Sequence, residues 1–141
     1  MFKQVEEELT TKQIHETFGT LQSIQTKDEV LGYIVMMNLK SLKQFNDESE
    51  DYRNGLLIKN AKEENGKLLK DKDGQLEFSR DQRTNLLKEQ QAYDKEKRQV
   101  RLYQIPVDFN DSIKALPMLI KSRLIDIVFT ISEPSFKDES K

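Results

Sequence analysis

Between residues 31 and 56 one stripe of positions recurs at alternating intervals of four and three: Leu31, Val35, Asn38, Leu42, Phe45, Ser49, Tyr52 and Leu56. That spacing lines up one face of an α-helix as a seam of the coiled-coil kind. A second stripe, Val30, Ile34, Met37 and Ser41, flanks the first half only. The first half is therefore expected to be buried on a broad face and the second on a narrow one. Thr26 followed by Glu29 forms a capping-box pattern, and Asp28 adds a negative charge where it opposes the helix dipole. A helix over about 27–62 would be roughly 50 Å long, so its distal end is expected to project or to pair with a partner. Gly55 is a point where it can stop or bend.

Shorter periodic segments surround this helix. Residues 1–9 read as a frayed leader. Thr10 and Gln13 form a capping box, and Ile14, Phe18 and Leu21 continue as an amphipathic helix over 11–24. Asn65-Gly66 ends the long helical pattern. Residues 67–78 read as a β-hairpin turning at Asp71-Lys72-Asp73-Gly74. Ser79 and Gln82 cap a polar helix over about 81–98. The stretch Val100–Ile105 alternates as a strand, is closed by Pro106 and is expected to join the hairpin (strand 99–105). After a polar connection through Asp108, Asn110, Asp111 and Ser112, Pro117 suits the first turn of a helix. Leu119, Ile120, Leu124, Ile127 and Val128 then predict a core helix over 118–129. The fold expected is α+β and mostly helical, with a long central helix, shorter helices and a small antiparallel sheet. It occupies one domain over 1–131, followed by a disordered tail over 132–141.

Composition sharpens this picture. Of 141 residues, 35% are apolar and 34% charged, too polar for a thick layered core, so some elements must be largely solvated. With 23 basic and 25 acidic residues the net charge is −2, which favours neither a polyanion-binding surface nor a nucleic-acid mimic. The absence of cysteine excludes disulfides and thiolate metal sites, and a reducing, cytoplasmic setting is expected. The densest apolar stretch, residues 116–131, is interrupted by Lys121, Arg123 and Asp126, so no membrane partner is expected.

Catalytic chemistry finds little to work with. His15 is the only histidine and lies one position off the apolar stripe, as a boundary residue would. The DKDG turn fails as a calcium loop. With Gly74 at the sixth position, the first falls on Leu69 and the twelfth on Arg80. The five glycines are too scattered for a phosphate-cradling loop. The carboxylates lie in charge runs that read as solvated faces. No catalytic residue, metal site or cofactor is expected.

Two binding surfaces remain. The narrow seam of the long helix, Phe45, Ser49, Tyr52 and Leu56, is the expected protein contact, either with a partner chain or with a second copy in a homo-oligomer. Nucleic acid is the alternative, through Arg80, Arg83, Lys95, Arg98 and Arg101, with Tyr93 or Tyr103 stacking on bases. The segment EQQAYDKEKRQVRLYQIPVDFNDSIKALPMLIKSRLIDIVF, a charged helix followed by a strand that ends in Ile-Pro, resembles small uncharacterised proteins of tailed bacteriophages. The resemblance implies a phage or mobile-element origin and expression in the cytoplasm of a bacterial host, and it assigns no functional residue. The function expected is a non-enzymatic protein-binding module, acting in assembly or as an inhibitor of a host protein.

Overall fold

A computed structural model describes residues 2–131; the tail expected over 132–141 lies outside them. The N-terminal residues are not frayed. Lys3–Thr10 form strand β1, which pairs antiparallel over its whole length with residues 97–104 of strand β4 (Lys97–Pro106). Thr10 ends the strand and opens the next element. Its hydroxyl accepts from the Gln13 N–H, while the Gln13 side chain accepts from the Thr10 N–H. This capping box starts helix α1 (Thr11–Gln22).

The long helix α2 spans Glu29–Asn60, about 48 Å at 1.5 Å per residue. Its cap is Asp28, whose carboxylate accepts from the Leu31 N–H at 2.8 Å. Thr26 instead accepts from the Asp28 N–H. The helix runs through Gly55 and ends five residues before Asn65-Gly66. That pair, with φ of 53° and 78°, supplies the two positive-φ residues of a tight hairpin turn. The turn joins β2 (Glu63–Glu64) to β3 (Lys67–Leu68).

The hairpin expected over 67–78 is reduced to a bridge between Lys70 and Leu76, with Asp71 accepting from the Asp73 and Gln75 N–H groups inside the turn. It does not join the strand expected over 99–105. That strand is β4, and its neighbours are β1 on one side and β5 (Phe129–Thr130) on the other. The main sheet is therefore mixed: β1 runs antiparallel to β4, and β5 parallel to it.

Helix α3 (Arg80–Asp94) begins at the Ser79–Gln82 capping box as expected. It ends before residue 98 because Lys97 and Arg98 are already paired with β1. After the short helix α4 (Asp111–Lys114), Pro117 caps helix α5 (Met118–Leu124). The core helix expected to reach residue 129 stops here. Asp126 takes a φ of 64°, and its N–H donates to the Phe129 carbonyl at 2.7 Å, turning the chain into β5. Leu124, Val128 and Phe129 are fully buried, whereas Met118 and Leu119 face solvent.

The core forms where Ile14, Phe18 and Leu21 of α1 meet Leu31, Ile34, Val35 and Leu42 of α2, Val100, Leu102 and Ile105 of β4, and Leu124, Val128 and Phe129. The broad apolar face expected for the first half of α2 is thus the face that is used.

Burying β4 raises a backbone problem. Along an antiparallel strand the N–H and C=O groups of alternate residues point to opposite edges. The edge away from β1 is filled by β5 only near its end, where the Ile105 N–H donates to Val128 and the Val107 N–H to Thr130. Upstream, α2 takes over. The Asn38 amide accepts from the Tyr103 N–H at 2.9 Å and donates to the Tyr103 carbonyl at 2.8 Å, as a neighbouring strand residue would. Its second amide hydrogen goes to the Ile34 carbonyl, and Ser41 donates to the Arg101 carbonyl. Asn38 is fully buried with every polar atom partnered.

Replacing Asn38 with leucine keeps the bulk but leaves the Tyr103 N–H and C=O without partners. Buried orphan groups cost about 1–3 kcal/mol each. The Asn38→Leu variant should lose about 3 kcal/mol of stability in urea unfolding, and Ser41→Ala about 1 kcal/mol. A leucine variant as stable as the parent would show that these groups find other partners.

Candidate protein-binding surface

The second half of α2 lies outside the main apolar cluster and packs against α3. Apolar burial there comes from Leu56, Ala61, Leu86 and Tyr93, and the remaining contacts are polar. Ser49 shares a 3.0 Å hydrogen bond with the Tyr93 hydroxyl. Tyr52 stacks on Tyr93 with ring centroids 4.2 Å apart. Arg53 binds Asp94 at 2.6 Å with its guanidinium over the Tyr93 ring. Asn60 donates to the Leu56 carbonyl and to Glu89, and accepts from Asn85.

This pairing divides the expected protein contact. Ser49 and Leu56 are buried beneath α3 and offer nothing to a second chain. Tyr52 is 44% exposed although one ring face is covered. Phe45 is half-buried at a different place, in a groove. The seam is therefore satisfied within the chain, and the four residues do not form one surface.

The basic set is dispersed as well. Arg80 and Arg83 sit in the first turn of α3, about 20 Å along the helix axis from Lys95. Arg98 is held by Glu48 and Glu96, and Arg101 by Glu6 at 3.2 Å. The hydrogen bond that Arg101 donates to Glu6 holds its guanidinium above its ordinary pKa. Of the two tyrosines available to stack on bases, Tyr93 is buried between α2 and α3.

The groove that holds Phe45 has a volume of about 440 Å³. Met37, Lys40, Ser41 and Phe45 of α2 form one side, and Glu6, Gln99, Arg101 and Tyr103 line the sheet. Alternation along the strands puts Glu6, Arg101 and Tyr103 on the same face, away from Val100 and Leu102. Aromatic surface continues from Tyr103 to Phe2, 6.1 Å between centroids, and from Phe2 to Tyr33 at 5.4 Å. Tyr33 and Met36 are each more than two-fifths exposed. The stripes read along the helix contained Phe45 and Met37 but not Tyr33. Their neighbours on β4 and at the N-terminus come from distant sequence, which periodicity does not report.

A second cavity, about 540 Å³, opens between α1 and α5 beside His15, Glu16 and Arg123. The imidazole is exposed, and its Nδ1 lies 3.1 Å from Asn46 Oδ1, so the ring braces α1 against α2 as a boundary histidine does. Among the described residues no group of three His, Cys, Asp or Glu side chains is placed to hold a metal ion. No helix among them is long and apolar enough to cross a membrane. No protein-family model, curated protein or solved structure matches the chain.

Hydrogen bonds from Lys59 and then Asn60 hold the Glu89 carboxyl below its ordinary pKa, with a further contribution from Asn85. A depressed carboxylate stabilises the folded chain above its unfolded pKa, near 4.3, and this contribution is lost as pH falls through the folded value. In urea unfolding, the stability difference between the parent and Glu89→Gln should be constant around neutrality and shrink below the ordinary carboxylate range. A difference independent of pH would remove Glu89 from the α2–α3 contact.

Proposed function

We propose that this chain is a non-enzymatic protein-binding module of phage origin, working in the cytoplasm of a bacterial host, either in assembly or by occluding a host protein. Its contact surface is the groove between α2 and the outer face of β4. The observation that carries this reading is the strip Phe2, Tyr33, Met37, Phe45 and Tyr103, in which Phe2 and Tyr33 are exposed and Met37, Phe45 and Tyr103 half-buried in or beside the groove. Protein interfaces are enriched in these residue types at the centre and ringed by charge. Glu6, Lys40 and Arg101 supply such a ring. The phage origin rests on the resemblance of residues 89–129 to small phage proteins. A nucleic-acid role gains no support, because the basic residues do not converge and two of them are already paired with glutamates.

The test compares capture of a partner from host lysate, and light scattering of the full chain, between the parent and a Met37→Glu/Phe45→Glu variant. Loss of central anchors weakens interfaces by about 2 kcal/mol or more each, roughly thirtyfold. Capture should be lost in this variant and in the milder Lys40→Glu should be weakened, with Leu87→Glu, on exposed α3 surface, unaffected. Undiminished capture by a folded Met37→Glu/Phe45→Glu variant, checked by circular dichroism, would refute the groove as the contact.

A further inference from the structure

We infer that the free edge of β1 is a docking site for an extended basic segment of another protein, which adds to the sheet as a further antiparallel strand. The backbone geometry comes first. Arg101 and Tyr103 turn their backbone groups to α2. By alternation, Val100, Leu102 and Gln104 turn theirs to β1 and meet Glu7, Val5 and Lys3. The N–H and C=O groups of Gln4, Glu6 and Glu8 therefore point to the opposite side, where no strand lies. Among the described residues none of these groups has a hydrogen-bond partner. The contrast with β4 is clear: from the Arg101 carbonyl onward its corresponding edge is met by Asn38, Ser41 and β5, while the edge of β1 is left with three consecutive docking positions.

Charge selects the occupant. Glu6, Glu7 and Glu8 are consecutive and exposed. Their bonds to Arg101 and Lys97 are surface contacts at 3.2 and 3.5 Å, weak enough to be shared. A second copy of β1 fits poorly. Paired antiparallel about a two-fold axis at Val5, Glu6 or Glu7, it sets Glu6 beside Gln4, Glu6 opposite itself, or Glu6 opposite Glu8. The last two juxtapose carboxylates directly, which is destabilising across a sheet, and the first sets Glu7 opposite Lys3 but leaves Glu6 and Glu8 opposite Gln4 and Phe2, without a basic partner. A foreign strand with lysine or arginine opposite Glu6 and Glu8, and β-branched residues between them, satisfies both backbone and charge. Its alternate side chains would meet Val5 and the rim of Leu9 on the inner face. The edge shares the Glu6 side chain with the rim of the groove, but its outward backbone groups lie on the side of β1 away from β4.

The experiment selects binders to the full chain from a library of random twelve-residue peptides and maps them by amide chemical shifts. Enriched peptides should alternate basic with β-branched residues, lack proline and shift the Gln4, Glu6 and Glu8 amides. Glu6→Pro removes an outward N–H without removing a hydrogen bond of the sheet, and prolines are tolerated on edge strands. It should weaken these peptides roughly tenfold or more, while Met37→Glu/Phe45→Glu should not. Glu6→Lys/Glu8→Lys, which keeps every backbone group, should weaken them similarly. Peptides that lack basic alternation, that map to the groove, or that bind Glu6→Pro and the lysine variant as tightly as the parent would overturn the inference. So would a dimer of the parent chain that Glu6→Pro converts to monomer.

Discussion

Strand β4 carries hydrogen-bonding groups on two edges, and from Arg101 onward both edges are met by other elements. One edge is met in full by β1. The other would be left with orphaned groups at Arg101 and Tyr103 if α2 did not present a side-chain amide at that height. Asn38 does so, and Ser41, one turn further on, closes the next carbonyl. This is a directional constraint, unlike the apolar contacts around it. It sets the height of α2 along β4, and with it the position of every other residue of a helix about 48 Å long. The groove exists because of it: Met37, Lys40 and Ser41 flank Asn38, so fixing Asn38 places them above the outer face of the sheet.

The distal half of α2 is held by a different balance. Few apolar side chains are buried between it and α3, and the contact depends on matching Ser49 to Tyr93, Arg53 to Asp94 and Asn60 to Asn85 and Glu89. Such contacts specify an alignment more strongly than they stabilise it. Arg53 Nε is buried with no hydrogen-bond partner among the described residues, so this part of the structure is incompletely satisfied. Stability concentrates in the first half of α2 with α1, β4 and the C-terminal segment, while the α2–α3 pair extends from it as a polar-matched arm.

Much of this was legible in the sequence where local chemistry decides. The starts of α1 and α3 follow from Thr10–Gln13 and Ser79–Gln82, since a capping box is complete within four residues. The 4-3 seam located α2 and included Asn38 and Ser49 as polar positions within an apolar stripe. It did not reveal that their partners would be a β4 peptide group and a tyrosine hydroxyl of the same chain. Strand β1 was missed because Glu7 interrupts the inward alternation of Val5 and Leu9, and only pairing with residues about 95 positions away makes it a strand. The helix expected over 118–129 stops at Leu124 for the same reason. Nothing local forbids helix at Asp126, and the turn there is imposed by β5 docking on β4. The seam residues expected at a partner do not lie on one surface, because periodicity identifies a buried face without saying which chain covers it. Both sites now favoured, the groove and the free edge of β1, depend on long-range strand pairing.

Native-state hydrogen exchange measures the central constraint most directly, because it reports on the edges of β1 and β4 residue by residue. The Tyr103 amide, donated to a side chain and not to a strand, should be protected to the level of the Val100 and Leu102 amides. The outward Glu6 and Glu8 amides should exchange near the rate of an open chain. Rapid exchange at Tyr103, or protection at Glu6 and Glu8 equal to that of the core, would contradict the closed and open edges on which the placement of α2, the groove and the docking edge all rest.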